Sequence, residues 1–230
     1  MVIPETIAER VASIRESIAE AASISGRSIN EISLVAVSKT RTVTEMIESQ
    51  PFVDAFGENR VQEAFTKKSN AVWNKPWRLI GSLQKNKVRK ALQIFDTIDS
   101  VNSIELALTL QRILDEKSDR ILPILIEVNA SEENSKTGIS SDDVCCLVDT
   151  VLECNNLQLE GFMTMASFTQ NEDHIRKSFA KMRHIAEMSR DRTGLPLPVL
   201  SMGMSSDFHL AILEGSTLVR IGTALFGMRV

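Results

Sequence analysis

Short apolar runs alternate with stretches of helical periodicity along the whole chain. The runs at 34–39, 55–59, 77–81, 97–101, 121–129, 159–165, 199–203 and 218–221 read as strands. Between them apolar residues recur at helical spacing, as in the stripe Ile175, Phe179, Met182, Ile185 and Met188, which Gly194 and Pro196 halt. Before the first strand, Ile7, Val11, Ile14 and Ile18 follow the same spacing, with Pro4 suited to a first helical turn. Eight strand–helix alternations predict an α/β fold: a single (β/α)8 TIM-type barrel with an extra N-terminal helix, rather than an open doubly wound sheet. No linker, low-complexity tract or internal repeat divides residues 1–230, so one domain is expected.

Composition narrows the class further. With 230 residues and 43% hydrophobic content, the chain can bury a full core. A formal net charge of −4 gives no electrostatic reason to expect nucleic acid or an acidic membrane surface. Glu5, Glu9, Glu16 and Glu20 make the N-terminal helix acidic, unlike a signal or transit peptide, and no apolar run approaches the ~20 residues that span a bilayer. Cys145, Cys146 and Cys154 lack metal-ligand spacing and read as reduced, structural thiols in a cytoplasm; a monomer is expected. His174, His184 and His209 form no metal-binding pattern, so no metal site is expected.

In such a barrel, chemistry belongs at the C-terminal ends of the strands, where Lys39, Asn59, Gly81, Asn129, Met165, Ser201 and Gly222 fall. Lys39 closes the apolar run Leu34-Val35-Ala36-Val37-Ser38. Partial desolvation there frees an amine to attack an aldehyde, although a strand-end lysine can also simply leave the core with its ammonium in water. The far end of the chain favours the first reading. Ser201-Met202-Gly203-Met204-Ser205-Ser206-Asp207 runs from a strand through a small-residue turn to an expected helix start, which offers backbone N–H groups to a phosphate. A second strand ends in Gly222-Thr223, where close backbone approach and a hydroxyl add to that seat. Arg220, two residues earlier and on the same side of the strand, would keep a pyridine nitrogen opposite it unprotonated. Lysine, phosphate turns and arginine together describe a pyridoxal 5'-phosphate site.

Asn59 suits either a contact to a cofactor oxygen or an ordinary turn. The pairing of Ser201 and Thr223 with Gly203 and Gly222 favours phosphate donors over turn hydroxyls. Lys136 sits in a polar loop where solvent keeps its amine charged, a poorer site for an imine. Lys85, Lys87, Arg89 and Lys90 read as the solvated face of a helix or a surface for an anionic partner.

The segments Ala36-Val37-Ser38-Lys39-Thr40, Phe56-Gly57-Glu58-Asn59-Arg60-Val61-Gln62-Glu63, Ile80-Gly81-Ser82-Leu83-Gln84-Lys85-Asn86-Lys87, Ser135-Lys136-Thr137-Gly138, Leu200-Ser201-Met202-Gly203-Met204-Ser205 and Val219-Arg220-Ile221-Gly222-Thr223 resemble, in order, the pyridoxal phosphate homeostasis protein family. The resemblance runs from Leu34 to Gly227. It implies a barrel similar to the N-terminal domain of alanine racemase, with the cofactor on Lys39 as a Schiff base. It also implies a role in vitamin B6 and amino-acid homeostasis, serving amino acids or apo-enzymes. Arg60, Ser82 and Phe208-His209 depart from the tyrosine, proline and Met-Glu frequent in that family, at the expected pocket mouth. Racemases of the resembling class draw a catalytic tyrosine or cysteine from a second domain, whereas this chain has no tyrosine and ends at Val230. A carrier is therefore expected, with a weak amino-acid racemase and a partner-binding scaffold as alternatives.

Overall fold

The computed structural model describes residues 6–116, 120–131, 133, 137–166 and 169–228. Among the described residues, eight parallel strands close into a barrel: β1 (Ser33–Val37), β2 (Ala55–Glu58), β3 (Trp77–Leu79), β4 (Thr97–Val101), β5 (Leu122–Glu127), β6 (Leu157–Met163), β7 (Val199–Ser201) and β8 (Leu218–Ile221). Each pairs with the next in sequence, and β8 returns to β1 with Leu34 opposite Val219 and Ala36 opposite Ile221. Around the barrel lie α1 (Ile7–Ile24), α2 (Val43–Ser49), α3 (Val61–Lys68), α4 (Val88–Ala91), α5 (Ile104–Asp115), α6 (Val144–Leu152), α7 (Glu172–Thr193), α8 (Phe208–Leu213) and α9 (Thr223–Phe226). This is the TIM-type barrel that the alternation of strands and helices predicts.

Strand alternation divides the barrel's two surfaces. Leu34, Ala36, Phe56, Leu79, Ile98, Ile124, Ile126, Phe162, Val219 and Ile221 face the helices and join one continuous core. Val35, Ala55 and Leu218 form a separate small cluster inside the barrel. The extra helix α1 starts at Thr6, whose side chain and Glu9 form a capping box, and it buries Ile7, Val11, Ile14 and Ile18. Pro4 and Glu5 lie outside the described residues. In α7 the buried positions include Ile175, Phe179, Met182, Ala186 and Ser189, an i, i+4, i+7, i+11, i+14 series, with Ser178 beside it. Met188, expected in the stripe, is 55% exposed because the buried face passes through Ala186 and Ser189 instead.

Several strands end earlier than their apolar runs. β1 stops at Val37, β3 at Leu79, β5 at Glu127, β6 at Met163 and β7 at Ser201. The chain then turns out of the sheet, with Thr40 at φ +64° and Gly203 at φ +97°. These surplus residues form the loops at the barrel's C-terminal end. Among the described residues no helix is long and apolar enough to cross a membrane.

Candidate functional site

A cavity of about 460 Å³ opens at the C-terminal end of the barrel, within the size range of small-molecule sites. Its apolar walls are Val37, Ile80, Met165 and Met204; its polar lining is Lys39, Asn59, Ser205, Ser206, Arg220, Gly222 and Thr223. Lys39 stands in the turn after β1, two residues beyond the strand end, and is half-buried. Its amine has no hydrogen-bond or ion-pair partner among the described residues, which leaves it available to a ligand in the cavity.

Opposite chemistry comes from two loops. Among the described residues, no protein acceptor takes the backbone N–H groups of Ser205, Ser206, Gly222 or Thr223. Four unpaired N–H groups in one wall make a seat for an anion. The loops are tied together: Ser205 Oγ accepts the Ala224 N–H at 3.2 Å, which leaves the Ser205 hydroxyl proton free to donate. A helix start at Ser206-Asp207 was expected to supply the N–H groups. α8 does begin there, at Phe208 with Asp207 as its N-cap, but it has only six residues, and the Asp207 carboxylate accepts the Met204 N–H at 2.6 Å. Of the four free donors, those of Ser205 and Ser206 lie in the loop ahead of Asp207, and those of Gly222 and Thr223 at the start of α9. Burial pushes the Asp207 carboxyl above its ordinary range, and this hydrogen bond opposes the shift.

Arg220 forms the floor. It is 3% exposed, and its Nη1 donates to Ser201 Oγ at 2.6 Å while Nη2 donates to the Thr164 carbonyl at 2.8 Å. Burial draws its guanidinium below its ordinary value, and the carboxylates of Asp99, Asp207 and Glu127 oppose that shift. Asp99 on β4 lies across the barrel from Arg220 on β8, so these groups meet in the barrel interior. Asp99 Oδ2 accepts from Arg78 Nε at 2.8 Å, and Glu127 Oε1 accepts from the Thr137 hydroxyl at 2.5 Å. Burial raises both carboxyls. A guanidinium stays protonated even so, and a ligand above Arg220 meets a fixed positive donor.

Comparison with known proteins identifies the lineage. The chain matches the family described as alanine racemase, N-terminal domain, over residues 11–230. It is 38% identical to the pyridoxal phosphate homeostasis protein of Pseudomonas aeruginosa over 228 residues, covering 97% of this chain and 96% of that one. This chain belongs to the pyridoxal phosphate homeostasis protein family. The Escherichia coli K12 member is 36% identical over 97% of each chain. PipY of Synechococcus elongatus, a structure solved with PLP bound, superposes with a TM-score of 0.84 at 34% identity, covering 96% of this chain and 100% of that one.

Of the residues expected in the site of this family member, the structure gathers Lys39, Asn59, Met204, Ser205, Arg220, Gly222 and Thr223 around the cavity. Two take other places. Ser201 is fully buried behind Arg220, and its hydroxyl serves the guanidinium rather than the cavity wall. Gly203 lies under α8: a Cβ there would stand 2.7 Å from Ala211 Cβ and 2.9 Å from Phe208 Cα, at a left-handed φ. It shapes the loop instead of lining the cavity. Gly81 has a similar task, since a Cβ would come within 2.4 Å of the Asn59 carbonyl oxygen. Arg60, Ser82, Phe208 and His209, which depart from the family's frequent residues, are absent from the cavity's described lining; His209 lines a neighbouring hollow with Thr169, Gln170 and Glu172. Lys136, with Ser135, lies outside the described residues. Sequence reasoning passed over Val37 and Ile80, although their positions at strand ends were the available signal.

Three of the four cations in the basic cluster are engaged. Lys85 pairs with Glu105, Arg89 Nη2 reaches Glu116 at 2.6 Å, and Lys90 donates to Gln62 at 2.8 Å while lying 3.9 Å above the Phe65 ring. These contacts use the cluster to join α4 to α3 and α5.

Proposed function

We propose that this protein carries pyridoxal 5'-phosphate as a Schiff base on Lys39 and acts in vitamin B6 and amino-acid homeostasis as a reservoir rather than a catalyst. One observation carries the reading: an unpartnered amine and four unpaired backbone N–H groups share one cavity wall system over a buried arginine. The bound state of the PLP-containing relative supports it. When bound, the cofactor supplies an aldehyde exchangeable between amines. Lys39 would take that aldehyde with loss of one water and regain its free amine by hydrolysis or by exchange with an incoming amine. Ser205, Ser206, Gly222 and Thr223 would hold the phosphate, and Arg220 would face the pyridine nitrogen.

Arg220 also limits what the site does. A donor that keeps its proton leaves the ring nitrogen unprotonated and weakens it as an electron sink. Lys39 is the one amine among the described lining residues, and no carboxyl, imidazole or thiol stands with it there. Two-base proton transfer needs such a partner. The cofactor-loaded protein is therefore expected to show an imine absorption band, yet to exchange the α-proton of added amino acids with solvent deuterium more slowly than ~1 s⁻¹. Proton NMR of the amino acid measures this, and faster exchange would favour the racemase reading.

A further inference from the structure

Both peptide neighbours of Lys39 are held by one ion cluster, Ser38 by the buried Lys67 and Thr40 by its partner Glu63. Lys67 on α3 is 7% exposed, and its amine donates to the Ser38 carbonyl at 2.6 Å, to Glu58 Oε1 at 2.8 Å and to Glu63 Oε1 at 2.6 Å. All three of its protons are thereby committed. On the N-terminal side of Lys39, Ser38 is tied twice, because its hydroxyl also donates to Glu58 Oε1 at 2.8 Å. On the C-terminal side, Glu63 Oε1 accepts the Thr40 N–H at 2.5 Å. Thr40 has φ +64°, a conformation costly for a β-branched residue and sustained only where its surroundings impose it.

Stability alone is a poor reason for this arrangement. A buried ion cluster is commonly no better for a fold than apolar side chains of the same volume. What it supplies is geometry: a threonine forced into the left-handed region immediately after the lysine, anchored to the same helix that anchors the serine immediately before it. We propose that Lys67 and Glu63 are positioning residues that aim the Lys39 amine into the cavity. The proposal rests on the reading of Lys39 as the attachment point. Burial works upward on the Glu63 carboxyl, but the hydrogen bonds from Lys67 and the Thr40 N–H outweigh it and keep the group below its ordinary range, a charged acceptor for the strained peptide.

The test uses Glu63→Ala, which removes a half-buried side chain and spares the core, in the full chain mixed with pyridoxal 5'-phosphate. Growth of the imine band and the fraction of Lys39 trapped by borohydride are followed. Misplacement of a reacting group by about 1 Å costs on the order of 10²-fold, so attachment at Lys39 should slow at least tenfold. Adding Thr40→Gly, which occupies φ +64° without penalty, should restore most of that rate, a rescue that a general loss of stability would not predict. An unchanged rate in Glu63→Ala, or a double variant as slow as the single one, overturns the proposal. Amide exchange at residue 40 without added cofactor separates the two readings. If wild type carries no adduct on Lys39, the attachment reading fails; a Thr40 amide protected in wild type and released in Glu63→Ala then still supports the clamp, and an unprotected one overturns it.

Discussion

Arg220→Met should destabilise the fold by about 3–5 kcal/mol, because it removes one member of a buried charge cluster and leaves the others uncompensated. The guanidinium is 3% exposed and is bonded to Ser201 Oγ and the Thr164 carbonyl, while Asp99, Asp207 and Glu127 surround it. Burial has already raised those three carboxyls above their ordinary range. A carboxyl raised in the folded state favours folding below its unfolded value, and that contribution is lost as pH rises through the folded value. Without Arg220 the folded values climb further. The deficit of the variant relative to wild type should therefore grow as pH rises from about 4, where unfolded carboxyls titrate, to neutrality. Denaturant titration at acid and neutral pH measures it; a deficit under ~1 kcal/mol, or one independent of pH, would show that Arg220 is not the counter-charge of the barrel interior.

Gly222→Val should abolish the preference for the phosphorylated vitamer while leaving the fold intact. A Cβ at Gly222 would meet Val37 at 3.4 Å, an ordinary contact, so the backbone accepts a side chain there. The branches of a valine would instead occupy the cavity wall over the Gly222 and Thr223 N–H groups. Two charge-assisted hydrogen bonds are worth about 3 kcal/mol together, on the order of 10²-fold in affinity. Competitive retention of pyridoxal 5'-phosphate against pyridoxal, followed on dialysis, should show a strong preference in wild type and almost none in the variant, with free aldehyde still reaching Lys39. Ser201→Ala is the contrasting control, since its hydroxyl touches Arg220 rather than the cavity. A variant as selective as wild type would mean that the turn closes the barrel and does not seat the phosphate.

The barrel was legible because each strand is a short apolar run and each helix repeats at its own period. Lys39, Gly222 and Arg220 were legible because strand ends locate a barrel's functional face. What sequence pattern left open depends on closure. Alternation shows that Arg220 and Ile221 point to opposite sides of β8, but only the closed ring brings Asp99 on β4 across to Arg220. The helix start read at Ser206-Asp207 is where α8 begins, with Asp207 as its N-cap, but pattern alone did not show that the Asp207 carboxylate turns back to accept the Met204 N–H. Ser201 was misplaced for a related reason: a hydroxyl at a strand end suits a phosphate or an arginine equally, and the neighbouring strand decides between them. The grip of Lys67 on Ser38 joins residues 29 apart, and only its i, i+4 spacing from Glu63 was visible beforehand.

The attachment of the cofactor to Lys39 is tested most directly by borohydride reduction of the loaded protein, proteolysis and mass mapping of the modified lysine. The account predicts the reduced adduct on the peptide bearing Lys39, and its loss in Lys39→Ala with the circular dichroism of the barrel unchanged. An adduct on Lys136 or Lys67 with Lys39 unmodified would contradict it.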